Sequence, residues 1–169
     1  MTAQNVAFGI IAAVMAISAI RVVTTNNVMR AALHLVIVLA GVAANYVLLA
    51  AEFTAVAQVL VYIGAVVVLF LFGIMLTRAP IGRTSDLDND QRWLAGLVAL
   101  LILGVLVGTL HDQWGNDKIR FTEPQTSAQV GDSIFQTFVI PFEVVSVLLL
   151  AALVGAIVLS RGRGDEDGR

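Results

Sequence analysis

The sequence predicts an all-α integral membrane protein with five transmembrane helices, the N-terminus outside and the C-terminus cytoplasmic. Three observations support this. First, 59% of the 169 residues are hydrophobic and only 13% charged, whereas an average soluble domain is about 45–50% apolar and about 25% charged. Mean hydropathy is correspondingly high, at +0.91. Second, five charge-poor runs, residues 6–23, 31–51, 53–76, 93–110 and 140–160, match the roughly 20 residues that cross a hydrocarbon core about 30 Å thick. Backbone polar groups in lipid must bond within their own segment, so runs of this length are helices. Third, the basic residues are unevenly placed. With the N-terminus outside, Arg21, Arg30, Arg78, Arg83, Arg92, Arg161, Arg163 and Arg169 fall inside, and only Lys118 and Arg120 outside, as short cytoplasmic loops prefer.

Residues 1–161 are therefore expected to form one transmembrane domain, followed by a flexible, glycine-rich and charged cytoplasmic tail at 162–169. The first run is expected to be a retained span. No Lys or Arg precedes it, and it is longer than the h-region of a signal peptide. Thr24, Thr25, Asn26 and Asn27 are turn and cap formers for the first link, and the turn near residues 50–53 is tighter still. Spans one to three should run up, down and up on short loops. An inner loop at 78–92 holds Pro80, Gly82, Asp86, Asp88 and Asp90, and Trp93 is an interfacial anchor opening span four.

The outer segment at 111–138 contains Trp114, Gly115, Asn116, Pro124 and Gly131 and reads as mostly irregular. For span five two starts are open. Either Asp132 or Ser133 caps a helix that Pro141 then kinks, or the helix begins at Pro141. No soluble domain, nucleotide-binding loop or internal repeat is visible, and a net charge of −2 offers no nucleic-acid surface.

The absence of cysteine removes disulfides and thiolate ligation of metals or iron–sulfur clusters. His34, near the inner end of span two, and His111, at the outer end of span four, lie on opposite sides and cannot form one axial haem pair. No cofactor is expected to bind this chain. Polar groups within spans are then the functional candidates. In span three Gln58, Tyr62, Ala65, Leu69 and Phe72 share an α-helical stripe, with an amide and a phenol at the outer half and apolar bulk inward. Gly64, beside Ala65 and the β-branched Val66, Val67 and Val68, suits either a close helix approach or a π-bulge that re-aims side chains. Tyr62 either bonds a neighbouring carbonyl or lines a water path.

In span two His34, Val38, Gly41 and Asn45 share another stripe. Asn45 is expected to bond across to another helix and His34 to be interfacial. Glu52 sits at the outer turn, and Glu143, placed in a first helical turn, would favour the positive end of the helix dipole. No span carries Arg, Lys, Asp or Glu at mid-depth, although a self-sufficient pump needs such groups. If protons move here, the titrating groups belong to partners, and this chain supplies a wall, a gate or a polar waypoint.

The run QVLVYIGAVVVLFLFGIMLT, residues 58–77, resembles the signature of the subunit J family of bacterial respiratory complex I. That complex is the proton-pumping NADH:quinone oxidoreductase, and its mitochondrial equivalent is subunit 6. Gln58, Tyr62, Gly64, Ala65 and the Val68-to-Phe72 stretch match the family's third helix. The run PFEVVSVLLLAALVGAIVL, residues 141–159, resembles its fifth, and the likeness covers residues 6–161. The resemblance implies a subunit without a redox centre or quinone headgroup site, in the bacterial inner (plasma) membrane beside subunits A, H, K and N. The flavin mononucleotide, iron–sulfur clusters and quinone would lie in the rest of the complex. It also implies a π-bulge around residues 62–67 whose interconversion with regular helix gates a proton path, with Tyr62 facing the path. Two other readings remain: a small multi-span ion transporter or antiporter component, and a scaffold in which Tyr62 and Gly64 only pack.

Overall fold

A computed structural model describes residues 2–76, 91–115 and 126–161 of the protein. The loop at 78–90 predicted to be inner, the middle of the segment predicted to be outer and the tail at 162–169 lie outside the described residues. All regular structure among the described residues is helical, and five helices are long and apolar enough to cross a membrane. The chain divides into two compact units, Met1–Pro124 and Gln125–Arg169.

In the first unit α1 (Thr2–Thr24) packs on α2 (Val28–Leu48), and α2 packs in turn on span three. That span is composite, with α3 (Glu52–Ala57), a π-helical segment (Gln58–Val67) and α4 (Val68–Leu76). Among the described contacts α1 does not meet span three, so α2 is the middle helix. The arrangement follows from the links, residues 25–27 and 49–51, which are too short for anything but antiparallel neighbours. The buried apolar residues are mostly small: Ala32, Ala43 and Ala55, with Val67. Small side chains let membrane helices approach closely, where packing rather than water exclusion holds them together.

Asn27 adopts an extended conformation and its side chain accepts a hydrogen bond from the Arg30 backbone N–H at 3.1 Å, so it caps α2. At the far end of α2 all four terminal carbonyls are satisfied. Leu49 N–H bonds Asn45 O, Ala50 N–H bonds Val47 O, and Ala51 N–H bonds Tyr46 O. The fourth, Leu48 O, accepts from the Gln4 side-chain amide on α1 at 3.0 Å. The Ala50 and Ala51 bonds form a Schellman motif, which needs a left-handed residue and normally uses glycine. Ala50 fills that position with φ 55.

Helix α5 (Arg92–Trp114) begins one residue before Trp93 and runs four residues beyond the predicted span. His111, Asp112 and Gln113 prolong the helix past the apolar run, because helical backbone persists where the side chains no longer suit lipid.

The second unit corrects the reading of span five. A helix does precede Pro141, but neither Asp132 nor Ser133 caps it. Thr126 does, in a capping box with Gln129. Helix α6 (Ser127–Asp132) passes directly into a π-helical segment (Ser133–Thr137), which ends where Phe138 leaves helical geometry at φ −111, ψ 30. Span five is α7 (Val139–Arg161). Pro141 thus sits in its opening turn, where a missing N–H costs nothing, and the break falls at Phe138 instead. Since α7 starts two residues ahead of the proline, Glu143 lies beyond the first turn and gains little from the helix dipole, whose effect fades within that turn.

Candidate functional site

Gln58 and Val67, at the two ends of the π segment, are both buried, at 9% and 3% exposure. Nine residues make two and a half α-helical turns, which would put the two on opposite faces. An i→i+5 pattern takes roughly one more residue per turn, so nine residues come close to two full turns. Both side chains therefore turn to one face of the segment, and the segment packs against α2. Ile63 between them and Leu71 and Ile74 beyond are half-buried, and the spacing 58, 63, 67, 71, 74 records the change of period.

The predicted stripe consequently breaks at its N-terminal end. Gln58 is buried, whereas Tyr62 is 50% exposed, and Ala65, Leu69 and Phe72 are exposed as well. Within the first unit the phenol lies on an open surface. Gly64 is also exposed, and a Cβ there would meet only the Val59 carbonyl oxygen, at an ordinary 3.5 Å. Within the first unit, then, Gly64 is not a point of close helix approach.

On α2 the stripe His34, Val38, Gly41 and Asn45 is half-buried throughout. Asn45 does reach another helix: its Nδ2 donates to Met15 Sδ on α1 at 3.3 Å. Beneath that contact Met15 fills the place where a Gly41 side chain would stand. Asn45 Oδ1 and His34 Nδ1 are buried without a hydrogen-bond partner among the described residues. His34 lies six residues into α2, with that ring nitrogen buried. Glu52 is the first residue of α3 and exposed, which suits a carboxylate at a helix N-terminus. Glu143 belongs to the other unit. No group of three His, Cys, Asp or Glu among the described residues is placed to hold a metal ion.

Gln4, Met15 and Ala50 escaped sequence reasoning. Gln4 and Met15 act through partners more than 25 positions away in sequence, and an alanine gives no hint of left-handed backbone.

The model of NADH-ubiquinone/plastoquinone oxidoreductase chain 6 matches residues 18–159, which include both polar stripes and all of α7 up to Leu159. The chain belongs to this chain 6 family. Subunit J of the F(420)H(2) dehydrogenase of Methanosarcina mazei is 44% identical to it over 168 residues, covering 96% of this chain and 94% of that protein. NAD(P)H-quinone oxidoreductase chain 6 of Leptolyngbya boryana is 42% identical, covering 97% and 84%. Its counterpart from Synechocystis sp. is 39% identical, covering 94% and 81%. This chain 6 protein is therefore a multi-pass membrane subunit of an oxidoreductase complex of the complex I type, assembled with other subunits of that complex.

Proposed function

We propose that this chain 6 subunit lines or gates the proton path next to the quinone cavity of a proton-pumping NADH:quinone oxidoreductase, and that span three is the gate. The observation that carries the reading is the π segment Gln58–Val67, which turns Gln58 and Val67 to one face while Tyr62 stays half-exposed. In an α-helical register Gln58, Tyr62, Ala65, Leu69 and Phe72 form one stripe. In the π register that stripe is broken, so converting one into the other rotates the inner half of the span against its outer half. Such a switch joins or separates a polar outer section and an apolar inner section of a water path without needing a charge at mid-depth. Gly64, open on its outer side, leaves the backbone free to change register.

In this reading the chain carries no redox centre, in keeping with its lack of cysteine. It sits beside subunits A, H, K and N in a bacterial plasma membrane with its N-terminus outside, and the carboxylates or lysines of the path belong to those neighbours. Flavin mononucleotide, iron–sulfur clusters and quinone belong to other parts of the complex. The test is Tyr62→Phe in the intact complex, reconstituted in vesicles. We expect normal assembly with a reduced proton-to-electron ratio. An unchanged ratio at normal assembly would leave span three as packing, the scaffold reading.

A second reading of the electron donor is favoured by the 44% identity to a subunit of an F(420)H(2) dehydrogenase. Purifying the complex through this chain and assaying NADH and reduced F420 in parallel separates the two. The donor that gives inhibitor-sensitive quinone reduction is the physiological one, and the gate in span three is common to both.

A further inference from the structure

The helical segment ahead of α7 lies apart in sequence from the span-three gate proposed above. α6 and the π segment after it are continuous, since Asp132 and Ser133 both keep right-handed helical dihedrals. The segment therefore runs from its Thr126 cap to Thr137. The 23 residues of α7 extend about 35 Å at 1.5 Å per residue, already more than the roughly 30 Å hydrocarbon core. Residues 127–137 must consequently lie outside that core. Gln129, Asp132, Ser133 and Gln136 suit such a position, but Phe135 and Phe138 do not suit open water, and they are 63% and 56% exposed.

Their depth is set by a contact. The Phe135 ring meets Phe142, in the opening turn of α7, edge to face at a centroid distance of 5.1 Å. Phe135 is thereby held at the level where the span begins. Phenylalanine, with tryptophan and leucine, supplies the apolar face of helices that lie at this boundary between headgroups and acyl chains.

We propose that residues 127–138 form an interfacial anchor that inserts Phe135 and Phe138 into the phospholipid headgroup–acyl boundary at the N-terminal end of α7. The stretch contains no Lys or Arg, and its one charge is Asp132. Its attachment thus comes from aromatic burial and not from attraction to anionic headgroups, and a zwitterionic bilayer is a sufficient partner.

Photo-crosslinking in the intact complex tests this. Phe135 or Phe138 is replaced by p-benzoylphenylalanine, which keeps an aromatic side chain, and native membranes are irradiated before mass analysis of the chain. One added phospholipid per chain is the expected product at both positions. A crosslink to another subunit, or no adduct at either position, would overturn the anchor. In nanodiscs of phosphatidylcholine alone and of phosphatidylcholine with phosphatidylglycerol, lipid yields should agree within about twofold. Adducts that form only with the anionic lipid would overturn a zwitterion-sufficient anchor.

Discussion

The side-chain amide of Asn45 on α2 donates to the sulfur of Met15 on α1 at 3.3 Å, one turn above the site where Met15 takes up the space of a missing Gly41 side chain. The pair shows how α1 is held. A glycine notch receives a flexible thioether, and a weak sulfur acceptor partly satisfies a buried amide.

Enlarging Gly41 should loosen this contact. A Cβ there would collide with Met15 Cγ, and overpacking costs about 1–3 kcal/mol, more than the roughly 1 kcal/mol that removing a helical glycine returns. Gly41→Val is expected to lower the thermal stability of the detergent-solubilised complex, and Met15→Ala in the same chain to restore part of it. A double-mutant cycle without coupling would contradict the contact.

Asn45→Leu should be tolerated. The change gives up one weak interhelical bond, typically about 0.6 kcal/mol in a membrane protein, and removes a buried carbonyl oxygen that has no partner among the described residues, which costs about 1–3 kcal/mol. Melting of the assembled complex is expected to be unchanged or slightly raised. A clear drop would show that a neighbouring subunit donates to Asn45 Oδ1.

Ala50→Gly should stabilise the turn between α2 and α3. Left-handed backbone costs a residue with a side chain about 1–2 kcal/mol, and glycine's extra freedom in the unfolded chain takes back about 0.4–1 kcal/mol. The expected gain is about 0.5–1 kcal/mol in reversible denaturant unfolding of the chain. A loss would mean that Ala50 makes a contact glycine cannot replace.

Gly64→Ala separates packing from gating. The added methyl meets only the Val59 carbonyl, at an ordinary distance, so assembly should be intact. Alanine nevertheless narrows the backbone freedom that glycine allows at this position, which restricts the dihedral changes a register switch passes through. Quinone reduction coupled to proton uptake should fall while subunit content stays constant. Wild-type coupling in the assembled variant would argue against register change in span three.

The solvent of this protein, the five spans, both short links and the family are legible in the residues alone. These follow from length, hydropathy and local residue patterns, each readable from consecutive residues. The burial of Gln58 together with Val67 was decided by tertiary structure, because facing depends on helical period and the π segment abandons the 3.6-residue repeat that stripe reasoning assumes. The start of α7 depended on Phe138 leaving helical geometry, a backbone event that a proline three residues on only appeared to mark. The seating of α1 on α2 rests on Met15 against Gly41 and on Gln4 at the Leu48 carbonyl. Hydropathy does not encode such pairings, because the residues that meet are brought together only when the helices pack.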